Sequence, residues 1–302
     1  MRVIVHGGAG ADPEDPAGRG AVLDRAAASG AEEGSPTNAV VAAVSVLEGS
    51  PRFNAGIGGA IQSDGVVRTD AGIMTEADAV GGACSMVGVR DTLSVARQVM
   101  EETSHVLLSG EQARAFAEAQ GITTDVDLRT EATRERWTEL DPPAIENYTD
   151  HLAWVNDRFG EESDADGTEG EGRGARSHDT VGAVAVGGGR IAAATSTGGR
   201  WCALAGRVGD VPQVGSGFFC SPAGGASATG AGEDIAKTAL SRRAVDFLED
   251  GQTPQDAAER AIGAFDERTN SEAGVIVAGR EGATGSAYNS AAMQVSVAEE
   301  GR

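Results

Sequence analysis

The chain has 302 residues, 46 acidic against 24 basic side chains, a formal net charge of −22, and 44 glycines. A field of that sign repels nucleic acid and anionic membranes, which excludes both as partners, and the glycines follow no fixed period, which excludes a collagen-like chain. The length suffices for one large domain with a buried core.

Lys237 is the single lysine. Molar salt screens surface repulsion to about 3 Å, so the composition reads as adaptation to high salt rather than as that of an ordinary acidic cytosolic protein. Three cysteines, Cys84, Cys202 and Cys220, are odd in number and show no CxxC spacing, so neither a disulfide framework nor a zinc site is expected. The apolar run at the N-terminus is too short for a signal peptide, and no apolar stretch reaches membrane-spanning length, so a cytoplasmic location is expected.

"RVIVHGG" reads as a short buried strand ending in glycines. "SPTNAVVAAVSVLEG" (35–49) reads as a buried helix, with Ser35 as cap and Pro36 in the first turn. "FNAGIGGAIQSDGVVRTDAGIM" reads as a loop feeding a hairpin that turns at "SDG". Helices are expected over 91–103 and 111–121, and "AIENYTDHLAWVNDRF" reads as one more. Residues of about 159–179 are acidic and glycine-rich and cannot bury enough surface to fold, so they read as a linker. Two strands follow, "TVGAVAV" and "IAAATST", joined by the hairpin signal "GGGR". Two helices are expected over 229–268, then strands at "AGVIVAG", "TGSAYNS" and "MQVSVAE". This order argues for helices packed outside a central layer of sheet.

The junction "SHDTVGAV" (177–184) passes from linker to core at Thr180. A cut before Thr180 would make it an N-terminal threonine. Its α-amine would titrate near 7.7–8.0 and serve as the base that a threonine hydroxyl otherwise lacks, so no histidine would be needed. The same hydroxyl, attacking the Asp179 carbonyl, would make the cut.

"HDTVGAV", "AAATSTGG", "GRVGD" and "ATGAGE", together with "HGGAG" (6–10) and "FNAGIG" (53–58), resemble in order and spacing the plant-type L-asparaginase and isoaspartyl peptidase family of threonine N-terminal nucleophile hydrolases. The resemblance covers nearly the whole chain. It implies an α+β fold, a four-layer αββα sandwich, made as one domain and cut into an α chain, 1–179, and a β chain, 180–302. The expected reaction is hydrolysis of L-asparagine and β-aspartyl dipeptides through an acyl-enzyme.

The resemblance implies the following roles. Thr180 is the nucleophile, Thr197 aligns it, and Asn54 sits near its amine. Arg207 clamps the substrate α-carboxylate, Asp210 the α-ammonium, and Gly232 lines the same pocket. Thr229 and the Gly230 N–H form the oxyanion hole. No catalytic cofactor is implied. A structural sodium ion would be held by backbone carbonyls of Leu47, Glu48, Ser50, Phe53, Ala55 and Ile57. A homodimer of αβ units is implied.

The chain departs from the family pattern at "RWCALA" between "TSTGG" and "GRVGD", at Asp179 before the nucleophile, and at Thr75 and Glu76. Trp201 is expected to narrow the leaving-group side. Two alternatives stand: a glycosylasparaginase, favoured by "HDT", and a non-catalytic acidic interaction protein using 159–179 as a binding tail.

Overall fold

The computed structural model describes residues 1–143, 147–159 and 180–301. Most of the expected linker, with Asp179, lies outside the described residues. The fold is mixed α+β, as expected.

The larger sheet runs, in spatial order, β11 (Ala292–Glu299), β1 (Arg2–Gly10), β5 (Val181–Gly187), β6 (Arg190–Thr197), β2 (Arg68–Thr75), β3 (Val80–Val87) and β4 (Leu107–Ser109). Its pairs are antiparallel except β3 with β4. The smaller sheet is β10 (Thr284–Tyr288), β9 (Ala273–Gly279), β8 (Gly224–Gly230) and β7 (Phe218–Ser221).

Strand side chains alternate between faces, and the central strands are buried on both. Val3, Val5, Val181, Ala183, Ala192 and Ala194 pack against α1 (Pro16–Ala31), α2 (Pro36–Glu48) and α3 (Thr92–Glu102). On the opposite face, Ile4, Val184, Ile191 and Ala193 meet Phe218, Ala226 and Val275 of the smaller sheet. That cluster continues into α8 (Leu240–Glu249) and α9 (Pro254–Asp266) through Val245, Leu248, Ile262 and Phe265. Gly72 permits the close approach of the two sheets: a Cβ there would lie 1.9 Å from the Phe218 ring.

The helix expected over 35–49 forms as α2. The Ser35 hydroxyl accepts the Asn38 N–H at 3.2 Å, and Pro36 stands in the first turn, where no donor is lost. The "GGGR" turn joins β5 to β6 through Gly188 and Gly189, at φ +61° and +76°, the left-handed pair a two-residue hairpin requires.

Four expectations need correction or completion. "SDG" does turn, but it closes only an isolated bridge, Ile61 with Val67; the hairpin proper is β2–β3, turned around Glu76–Asp78. The two helices expected over 229–268 are three: α7 (Gly232–Thr238) ends where Ala239 takes φ +52°, which breaks the apolar stripe before α8 begins. Helices α4 (Gly110–Ala119), α5 (Glu131–Leu140) and α6 (Tyr148–Phe159) follow in order; α5 and α1 had no clear signal. Strands β7 and β8 were also unforeseen, because "GGASATG" is poor in β-formers and is a strand through its pairing with β9. Among the described residues, no helix is long and apolar enough to cross a membrane.

Candidate active site

Register assembles the core of the site. Val181 pairs with Ser196, so Thr180, one residue earlier, stands opposite Thr197 on the neighbouring strand. Asp70 on β2 pairs with Thr197 from the other side. Thr180, Thr197 and Asp70 thus form a row across three adjacent strands, on the face turned toward the smaller sheet. The Thr180 hydroxyl donates to Thr197 Oγ1 at 3.2 Å, and Thr197 Oγ1 also accepts the Gly199 N–H at 3.2 Å. Thr180 is 8% exposed and Thr197 3%, so the pair is enclosed but reachable. Thr229 and Gly230, at the end of β8, lie in the opposing sheet; Thr229 is fully buried.

Asn54 is anchored by backbone groups. Its amide donates to the Gly199 carbonyl at 2.5 Å and accepts the Ala60 N–H at 2.8 Å. Both ends of the side chain hold backbone, and no hydrogen bond joins it to Thr180 among the described residues. Its carbonyl accepts from the Thr197 hydroxyl at 3.4 Å, so Asn54 bears on the nucleophile only through Thr197.

The segment 206–217 carries the clamp and is seated on both sheets. The Asp210 carbonyl accepts the Gly217 N–H at 3.1 Å; the Gly217 carbonyl accepts the Thr195 hydroxyl at 2.7 Å and the Ala228 N–H at 2.8 Å. Thr195 Oγ1 continues to Ser227 Oγ at 2.7 Å, and Ser227 to His6 Nε2 at 2.9 Å. Burial pushes His6 down to about 3, so this inter-sheet imidazole is neutral. Gln62 fixes the start of the segment, donating to the Arg207 carbonyl at 3.0 Å and accepting the Gly206 N–H at 2.8 Å.

Arg207 and Asp210 share one pocket with Gly232. A Cβ at Gly232 would lie 2.6 Å from Asp210 Oδ1 and 2.8 Å from Arg207 Nη2. Yet the ion pair of Arg207 is with Glu233, a residue the motif reading passed over although it closes "ATGAGE". Asp210 Oδ2 is buried and has no hydrogen-bond partner among the described residues. Burial pushes the Asp210 carboxyl up to about 7, with the Arg207 charge opposing, and Asp70 likewise to about 7, with the Ser85 N–H and Arg207 opposing. The fold therefore offers an arginine beside a buried carboxyl, linked through Asp70 to the row that carries the pair of hydroxyls. It suits a small zwitterion with a group to be attacked.

Trp201 is buried with Ile61, Val67 and Leu128, edge-on to Trp137 with ring centroids 6.4 Å apart, under the Arg136 guanidinium. The three cysteines are buried free thiols; burial pushes Cys84 up to about 11 and Cys202 up to about 12, which leaves both unreactive at neutral pH. In the expected cation loop, the carbonyls of Leu47, Glu48 and Ser50 accept the N–H groups of Ser50, Ile57 and Phe53. The Leu47 carbonyl accepts the Gly49 N–H as well, which leaves a further lone pair on those of Glu48 and Ser50.

The family model described as Asparaginase matches residues 1–302. The chain is 37% identical over 308 residues to the plant-type L-asparaginase of Pyrococcus abyssi, covering 100% of this chain and 97% of that protein. It is 35% identical over 311 residues to the isoaspartyl peptidase/L-asparaginase of Danio rerio, covering 99% and 93%. The chain belongs to the asparaginase family. The resemblance drawn from the spaced motifs is thereby borne out, and with it the reading as a hydrolase over that of a non-catalytic acidic interaction protein. Within this asparaginase-family chain, the row Thr180–Thr197 and the Arg207–Asp210 pocket are the positions the motifs pointed to, while Glu233, Gln62 and Asp70 are additions from the fold.

Proposed function

We propose that the chain is an autoprocessing amidohydrolase of the N-terminal nucleophile type, a four-layer αββα sandwich cut between Asp179 and Thr180, that hydrolyses L-asparagine and β-aspartyl dipeptides. The observation that carries this is the Thr180–Thr197 hydroxyl pair in one strand row with Asp70, whose charge acts on the Arg207 of the Arg207–Asp210 group. The arginine fork matches an α-carboxylate, and Asp210 Oδ2 an α-ammonium. A substrate held by both ends presents its side-chain amide to the nucleophile.

In processing, Thr180 Oγ1 attacks the Asp179 carbonyl, the peptide bond becomes an ester, and water releases the two chains. In turnover, the freed α-amine takes the Oγ1 proton as oxygen attacks the substrate amide carbon. Thr229 and the Gly230 N–H receive the oxyanion; losing one such donor costs about 100–1,000-fold in rate. The amine leaves with the proton, and water attacks the acyl-enzyme to return Thr180 and give aspartate. The loop at Leu47–Ile57 would hold a sodium ion through its carbonyls, Phe53 and Ala55 included, as a structural brace without a chemical step. Pairing of two αβ units and a high-salt cytoplasm complete the reading.

The test is intact mass and turnover of purified protein beside Thr180→Ala. The wild type should separate into two chains, the second beginning at Thr180, and release aspartate from asparagine and β-aspartyl dipeptides. Thr180→Ala should remain one chain and inactive. A fragment starting at position 180 in that variant would exclude self-cleavage by this hydroxyl. Turnover of glycosylasparagine alone would move the assignment to that leaving group.

A further inference from the structure

We propose that Glu233 is a positioning residue of the head-group clamp: it holds one edge of the Arg207 guanidinium, aims the other edge at the substrate carboxylate, and keeps the arginine from collapsing onto Asp210. The proposal rests on the reading of Arg207 and Asp210 as that clamp.

A planar guanidinium has two edges that can each grip a carboxylate. Glu233 occupies the side edge completely: Nε donates to Oε1 at 2.8 Å and Nη2 to Oε2 at 2.9 Å. The end edge, Nη1 with the second hydrogen of Nη2, is left over, and no hydrogen bond from Nη1 is found among the described residues. Two glycines flank that end. A Cβ at Gly209 would lie 2.9 Å from Nη1, and one at Gly232 2.8 Å from Nη2. The end edge thus opens where the backbone carries no side chains, on the side where Asp210 Oδ1 lies.

The alternative resting place of this arginine is also nearby. Asp210 and Asp70 are close enough for their charges to act on Arg207, and Asp210 Oδ2 lacks a partner among the described residues. Freed from Glu233, a long side chain beside an unsatisfied buried carboxylate moves to satisfy it. That motion removes both halves of the clamp at once, since the arginine is consumed and the acid is neutralised. Although burial pulls the Glu233 carboxyl upward, the hydrogen bonds and charge of Arg207 prevail and hold it down to about 2, so it stays an ion throughout the working range. Glu233 itself is half exposed, with Arg207 at 17%, and among the described residues its side-chain hydrogen bonds are to the arginine.

A merely structural ion pair would alter stability and leave head-group selection alone. The readout is therefore selection: L-asparagine against L-asparaginamide, which lacks the α-carboxylate. Glu233→Ala should raise KM for asparagine, which uses both halves of the clamp, by about ten-fold more than KM for the amide, which uses only the Asp210 half; the difference is the loss of one well-aligned charged hydrogen bond. Scission at Thr180 should proceed as in the wild type, since no α-carboxylate takes part in it. Glu233→Gln, which keeps one acceptor for the fork, should fall between. An unchanged preference for acid over amide in Glu233→Ala overturns the proposal.

A crystal structure of Glu233→Ala tests the same point independently of the substrate. The guanidinium should have moved to Asp210; an Arg207 unmoved overturns the proposal even if the enzyme is found to act on neither asparagine nor β-aspartyl dipeptides. Wild-type inactivity on both would instead sink the proposed function, leaving the crystallographic result to decide the role of Glu233.

Discussion

Burial pushes the Asp210 carboxyl up to about 7 against the pull of Arg207, so in the empty pocket a large part of it is protonated at neutrality. Only the ionised form can pair with an α-ammonium. KM for asparagine should therefore climb as pH falls below about 7, approaching ten-fold per unit, while kcat follows the Thr180 amine near 7.7–8.0. A KM profile from mildly acid to mildly alkaline pH checks this; a flat KM would remove Asp210 from the clamp, and Asp210→Asn should be flat as well as weak. Thr180, Thr197, Arg207 and Asp210 were legible in the sequence because each sits in a short motif whose meaning is local. Glu233 was not, because its role comes from a contact spanning 26 positions. Asp70 was not, because only strand register sets it opposite Thr197. Asn54 was found, but its side chain is spent on backbone groups that its motif alone does not identify.

Three elements meet at one buried carboxyl. Glu48 ends α2 and accepts with Oε1 both the Leu93 N–H, at the start of α3, at 3.0 Å and the Ser196 hydroxyl, on β6, at 2.6 Å. Asp91, the cap position of α3, makes no side-chain cap bond, so Glu48 serves a helix that its own sequence leaves open. Burial pushes Glu48 up to about 8 from an ordinary 4.5, with the Ser196 and Leu93 hydrogen bonds opposing only in part. A raised acid favours the fold while protonated. Its contribution is full below about 4.5 and is lost as pH rises through about 8, and Asp70 and Asp210 act in the same direction up to about 7. Glu48→Gln mimics the neutral acid, so melting temperature should decline less between those limits than in the wild type; thermal scans across pH check it, and identical slopes would mean that Glu48 is ionised in the fold. At this scale the β5–β6 turn was legible because two consecutive glycines at positive φ have few other uses. The division between α7 and α8 was not, because Ala239 carries no mark of the left-handed conformation that it adopts.

For the whole molecule, a net charge of −22 sets the response to salt. Raising salt from a tenth molar to molar shortens the screening length from about 10 Å to about 3 Å, which relieves surface repulsion while acting far less on a buried clamp. Melting temperature and β-aspartyl dipeptide turnover should both be higher at molar salt; one salt series measures them together, and a shared maximum at low salt would end the high-salt reading. The layering of helices outside sheet was foreshadowed by element order, but the order of strands within the larger sheet was not, since three of its six pairings, β11–β1, β1–β5 and β6–β2, join strands distant in sequence. That order has a consequence of its own. A cut before Thr180 would leave β1 as an isolated strand of one piece, gripped on both sides by β5 and β11 of the other, while β6 holds β2 across a further seam. The precursor folds as a single molecule with every partner tethered. The cut form, once unfolded, would be two molecules that would have to find each other and thread one strand between two, with no linker to bring them together. Self-cleavage would thus convert a chain able to refold alone into an assembly that is made once and not readily remade.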